Sequence, residues 1–362
     1  MTHYRLSTLA AAAALITACA PTPARAVLLF GGDGSPNLSA PTGQYANSGY
    51  DNAAFYLNYN IDPNVCTWPI SPTWAIRAQH TVQEGTGSIL QDGIPHTIVR
   101  TVNLPGTDLA LSEVDTPFPR YSQMYQGVAA PGSEEMIFGH GFQNKGAPIY
   151  TPGTTDHLAG WTFANTYNQY GWGRNLLQET TNVQIGSSVT NCLYSTFNAP
   201  TLDDGTPNPQ FLGNDEATAA FGDSSGGVFI KQDGVWKLAG CIYAIDAGVY
   251  TEPNGTTPWT GAIFDARGMY ADFPVDPNNP NGPTSRQVVG GANTINDLPG
   301  SSAYSLGFYA TSMNTYSGFI NDTISRGSGV VVAPEAGTLA LTAGAAWASA
   351  AALLIRRRRF AR

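Results

Sequence analysis

Six residues, Gly222-Asp223-Ser224-Ser225-Gly226-Gly227, set a pair of hydroxyls between glycines. A serine hydroxyl is a poor nucleophile until a base takes its proton, and its attack on a carbonyl needs N–H groups converging on the oxygen that gains charge. Glycine frees a backbone to bend so that N–H groups converge. The chemistry this stretch suits is acyl transfer, with a histidine as base and a shielded carboxylate to orient it. Of the five histidines, His80 stands out: residues 74–81, WAIRAQHT, form a short apolar strand that runs into it. His3 lies in a leader-like segment, and His96, His140 and His157 occupy polar or turn-like settings. Asp108 opens the apolar run Leu109-Ala110-Leu111, a setting drier than that of Asp92 or Asp115.

These groups need a scaffold. Forty Gly, 25 Pro and many short runs of Val, Ile, Thr, Tyr and Phe predict strands joined by tight turns, an all-β body. With 362 residues, 42% hydrophobic and 12% charged, the chain has core enough for one large domain or two smaller ones. In GVFIKQDGVWKLAGCIYAI, Asp233-Gly234 separates two strand-like runs, so the serine loop delivers into a hairpin. Tyr316, Phe319, Ile320, Thr323 and Ile324 are spaced as one face of a helix. The sixty or so residues between Ala244 and Gly307, including VDPNNPNGPTS, read as surface loops; calcium on Asp276 is conceivable, but no metal or organic cofactor is expected. Cys66, Cys192 and Cys241 suggest one disulfide and one buried thiol.

The same stretches resemble the trypsin-like serine peptidases. WAIRAQHT is similar to the family's W-V-L-T-A-A-H-C, DLAL to D-I-A-L-L and GDSSGGVF to G-D-S-G-G-P-V-F, in the same order. IFGHGF, WKLAGCIYAI and GFYATSMNTYSGFINDTI resemble further segments, so that the likeness covers roughly residues 27–325. It implies two packed antiparallel Greek-key barrels of six strands each, about residues 27–130 and 131–325, with a short C-terminal helix. It implies catalysis by His80, Asp108 and Ser224, an oxyanion hole from the N–H groups of Gly222 and Ser224, and a protein or peptide substrate. Thr218 and Gly307 fall at the family's specificity pocket; Thr218 is neutral, where an acid selects Lys or Arg, although Asp215 and Glu216 lie close in sequence. Asp223 is the expected partner of a freed N-terminus. Among the departures around the site, Thr81 stands where the family has cysteine, Ser225 where it has glycine, and Tyr243 where it has a serine in the strand after the nucleophile. Ungapped alignment keeps Ser224 beside Asp223 and in phase with Val228 and Phe229, which selects it over Ser225. An inactive binding module and an esterase are the alternatives.

Both ends read as targeting. Arg5, the apolar residues 6–20 and Ala24-Arg25-Ala26 form a signal peptide, residues 1–26, cleaved before Val27; Ile16-Thr17-Ala18-Cys19 offers a lipobox-like alternative. Cleavage leaves VLLFGG, with Gly31-Gly32 two positions later than the family's I-V-G-G. Residues 331–362 hold Pro334-Glu335-Ala336, an uncharged run at 337–355 and Arg356–Arg359, which resembles a PEP-CTERM sorting segment. The resemblance implies a segment that engages the membrane until an exosortase-type peptidase removes it, with Pro-Glu-Ala departing from the usual Pro-Glu-Pro that such processing reads; a plain anchor predicts the same exported, envelope compartment. Between the ends, ten basic residues face 25 acidic ones, a net −15 that repels nucleic acid.

Overall fold

The computed structural model describes residues 27–32, 35–57, 65–81, 87–141, 145–150, 157–163, 170–185, 188–202, 205–246, 248–252, 255–259, 261–266, 269–274, 284–288 and 305–326. Residues 1–26, 331–362 and Asp276 lie outside them. No described helix is long and apolar enough to cross a membrane.

A short strand, Leu28–Leu29 (β1), leads into six that close a barrel: Ala54–Leu57 (β2), Val65–Ser71 (β3), Trp74–Ala78 (β4), Ser88–Gln91 (β5), Ile94–Asn103 (β6) and Leu109–Val114 (β7). They pair antiparallel in the order β2-β3-β4-β7-β6-β5. The second half is built on Glu134–Gly139 (β8), followed by Lys145–Tyr150 (β9), Leu158–Phe163 (β10), Gly171–Leu176 (β11), Glu179–Ile185 (β12), Ser188–Thr196 (β13), Ala217–Thr218 (β14), Gly227–Gln232 (β15) and Val235–Ile245 (β16). Then come Gly248–Glu252 (β17), Gly255–Trp259 (β18), Gly261–Ile263 (β19), Met269–Pro274 (β20), Thr284–Val288 (β21), Gly307–Ser312 (β22) and the helix Met313–Arg326 (α1). A seven-stranded sheet runs β11-β8-β15-β16-β22-β13-β12.

Its ladder is open, but its two edge strands are halves of one bent strand. Leu177 N–H donates to Ser133 O beside β8, and Gln178 N–H donates to Tyr194 O on β13, so the chain turns from one edge to the other without a break. Strands that bend from one face to another are how sheets turn corners. Counted as one, β11 and β12 make this a six-stranded curled sheet. Along the seam, the buried Asn175 amide donates to Thr196 O and Ala217 O, both at 2.8 Å.

Alternation along β8 and β15 decides which core each residue joins. Met136, Phe138 and Phe229 meet Trp68, Ile76 and Leu111 of the closed barrel in a core shared by both halves. Ile137, Val228 and Ile230 turn the other way, into the curl, with Leu193 and Phe308. Helix α1 closes the shared core with Met313 and Ile320, while Tyr316, Phe319 and Ile324 pack around them. Asp233 and Gly234 join β15 to β16 with φ of 55° and 79°, the left-handed pair of a two-residue hairpin turn.

Two sequence expectations are corrected. The stretch between Ala244 and Gly307 carries a four-stranded sheet, β18-β17-β20-β21, as well as β19, which pairs with β10. Val249-Tyr250-Thr251 and Thr256-Thr257 have the β-branched and aromatic residues of a hairpin, outweighed in the sequence by Pro and Asn nearby. The three described cysteines are all buried and free. Cys192 and Cys241 both oppose Thr311, one on each side of β22. Two strand spacings set their Cα atoms about 10 Å apart, beyond the reach of a disulfide.

Candidate active site

His80 lies in a 3₁₀ turn, Gln79–Thr81, at the end of β4. Ala78 pairs with Leu109 across the β4–β7 ladder, so register alone brings Asp108 opposite Gln79. The turn is tied down: Gln79 N–H donates to Asp108 O (2.8 Å) and His80 N–H to Asp108 Oδ1 (2.9 Å). From within the barrel, the buried Arg77 guanidinium donates to the carbonyls of Ala78 and Gln79 at 3.0 and 3.1 Å. The ring that results is poised between two partners. His80 Nδ1 lies 2.5 Å from Asp108 Oδ2, and Nε2 lies 2.8 Å from Ser224 Oγ. The carboxylate side chain is 4% exposed and the imidazole 27%, so the ring is dry on one side and open on the other. Asp92 and Asp115, the two aspartates weighed against Asp108 in the sequence, are exposed.

Ser224 projects from the loop between β14 and β15, which is built of two successive tight turns. Asp223 N–H donates to Ala220 O (3.1 Å) and Gly226 N–H to Asp223 O (2.7 Å). Gly222 has φ of 88°, a left-handed conformation that costs glycine little. Neither the Gly222 nor the Ser224 N–H is bonded to a backbone carbonyl among the described residues. The Asp223 carboxylate braces the loop from beneath, accepting from Ala220 N–H (2.8 Å) and Gly141 N–H (2.7 Å). Gly141 must lack a side chain, since a Cβ there would sit 2.4 Å from Asp223 N. Burial pushes the Asp223 pKa up to about 7, against the opposing pull of N–H donors on Ala220, Gly141, His140 and Val27.

Ser225, the second hydroxyl, is wholly buried and has φ of 72°, a left-handed conformation costing a non-glycine residue about 1–2 kcal/mol. It is held on all sides. Its N–H donates to Ile242 O (2.9 Å), its carbonyl accepts from Trp68 Nε1 (3.0 Å), and its Oγ accepts from Ala78 N–H (2.8 Å) and lies 3.1 Å from Thr81 Oγ1. None of these contacts was foreseen from the sequence. The one signal was that Thr81 and Ser225 are both departures from the motifs they sit in.

Thr218 is buried in β14 and pairs with Leu28 of β1. Gly307 opens β22 opposite Thr196, and its N–H donates to Asp246 Oδ2 (2.9 Å). The acids near them are engaged. Glu216 accepts from Asn198 and Leu212, Asp246 also from the hydroxyls of Tyr194 and Tyr309, and Asp215 lies 4.0 Å from Arg174.

The chain matches no family model and no curated protein. Among solved structures it is similar to neuropsin, a serine protease expressed in the limbic system of mouse brain, with TM-score 0.42 and 11% identity over 77% of this chain and 96% of that one. It is also similar to kallikrein-related peptidase 10 in complex with Zn²⁺, with TM-score 0.40 and 12% identity over 78% and 98%.

Proposed function

We propose that the protein is an exported serine endopeptidase working through an acyl-enzyme. The observation that carries this reading is the bridging position of His80, within hydrogen-bond reach of both a buried carboxylate and a serine hydroxyl. His80 Nε2 takes the Ser224 proton as Oγ attacks the scissile carbonyl. The N–H groups of Gly222 and Ser224 bind the oxygen that becomes negative. Asp108 holds the imidazole with Nδ1–H toward it and stabilises the imidazolium, which then protonates the leaving amine. Water, activated by the same histidine, releases the acid product. Because Thr218 is neutral and the neighbouring acids are engaged by other donors, the side chain preceding the scissile bond is not Lys or Arg.

The N-terminal leader enters the same reading. Val27 is 1% exposed, has φ of 42° in spite of its branched Cβ, and gives its N–H to the buried Asp223. Cleavage before Val27 removes the peptide bond that defines this φ, relieving the strain, and puts an ammonium against the carboxylate.

The test is labelling of matured protein, beginning at Val27, by a fluorophosphonate, followed by a peptide-library profile. Labelling that disappears in Ser224→Ala is expected, together with cleavage after uncharged residues. Absence of labelling in the matured wild type overturns the enzyme reading in favour of a binding module, and ester turnover without peptide cleavage overturns the peptidase reading.

A further inference from the structure

Two of the departures from the resembled motifs, Ser225 and Thr81, touch each other. Ser225 belongs to the nucleophile loop of the curled sheet, and Thr81 to the 3₁₀ turn of the closed barrel that carries His80; their hydroxyl oxygens lie 3.1 Å apart. Donor counting fixes the direction of every bond. Ala78 N–H donates to Ser225 Oγ, and Thr81 Oγ1–H donates to Ala78 O at 2.7 Å. The Thr81 proton is thereby used, so the Ser225 proton points to Thr81 Oγ1. The result is a closed ring, Ala78 N–H to Ser225, Ser225 to Thr81, and Thr81 back to Ala78 O. With Ser225 0% exposed, no water competes for it.

We infer that Ser225 is a positioning residue, whose hydroxyl latches the turn bearing His80 to the loop bearing Ser224 across the boundary between the two halves. The inference rests on the reading of Ser224 as nucleophile. It assigns a use to the strained φ of 72°, since only a residue with a Cβ can present a hydroxyl there, and the other attachments of Ser225 hold that backbone in place. It also explains why the second serine is no rival to the first: its lone pair and its proton are both directed into the opposite half. Neighbouring residues in one loop are thus divided between reacting and holding. A nucleophile and base carried by different halves lose registry when those halves shift, and a misplacement of about 1 Å costs on the order of a hundredfold in rate.

The experiment compares matured wild type, Ser225→Ala and Ser225→Gly, with Ser224→Ala as the control for labelling. Ser225→Gly removes the hydroxyl while relieving the backbone, a gain of about 1–2 kcal/mol that offsets the cost of leaving Ala78 N–H without its acceptor. Both Ser225 variants are expected to label about 10–100-fold more slowly, with peptide KM within about twofold of wild type and the loss in kcat. The downfield proton resonance of the His80 Nδ1–H···Asp108 bond is expected to broaden in both. A Ser225→Gly protein that labels as fast as wild type, with that resonance unchanged, overturns the latch. The resonance does not depend on turnover, so the latch is read even where wild type fails to label and the enzyme reading falls alone.

Discussion

At the scale of single residues, the site is governed by which polar groups are dry. Asp108 is shielded by its own strand and by the turn it caps, so its charge acts on His80 with little screening. Asp223 is drier still, with no cation beside it among the described residues, and burial raises its pKa to about 7. A Val27 ammonium would reverse that balance, holding Asp223 ionised while its own pKa rises above the free-amine value of about 8. That pairing is complete below the free-amine pKa and is lost as pH rises through the raised one. Protein beginning at Val27 is therefore expected to label roughly tenfold faster or more than protein retaining residues ahead of it, with the advantage fading at alkaline pH. Equal rates from the two preparations, measured at neutral pH, would remove the N-terminus from the mechanism. Ser224, His80 and Asp108 were conspicuous in the sequence because their local patterns are short and ordered. The ring through Ser225 and Thr81 was not, because it joins residues 144 positions apart and depends on a register that no local pattern reports.

Among the elements, strand phase does most of the positioning. The β4–β7 register sets Asp108 under His80, and the β15–β16 hairpin fixes the base of the serine loop. Asp233-Gly234 could be read directly, since a turn needing two left-handed residues has few solutions. Helix α1 was legible for a similar reason, its apolar residues keeping the helical period. Its packing face predicts its worth: Ile320 is fully buried in the core shared by both halves, so Ile320→Ala is expected to cost about 2–5 kcal/mol. Urea unfolding checks this, and a cost below 1 kcal/mol would mean the helix is an appendage. The sheet containing β17, β18, β20 and β21 was not legible, because its strands are short and lie among Pro, Asn and Gly. The separation of Cys192 from Cys241 was equally hidden, being set by the intervening β22.

For the molecule as a whole, buried carboxylates set the pH at which it is most stable. Glu135 and Glu216 are fully buried, and burial raises their pKa values to about 7 and about 8. Ser195 donates to one oxygen of Glu135, and the other has no hydrogen-bond partner among the described residues. Both acids hold protons in the folded state that they release in the unfolded one between about pH 4.5 and 8, so stability falls as pH rises through that window. The melting temperature is expected to be higher near pH 5 than near pH 8. Glu135→Gln and Glu216→Gln should each flatten the slope, and a melting temperature that climbs from pH 5 to 8 would contradict the assignment. The bent strand that serves both margins of the curled sheet has a further consequence. An unpaired margin is a template on which a second chain can extend a sheet. Here Leu177–Gln178 joins the two margins, and the Asn175 amide stitches the cleft between them. These two margins of the curled sheet thereby offer strand-by-strand aggregation no free starting point.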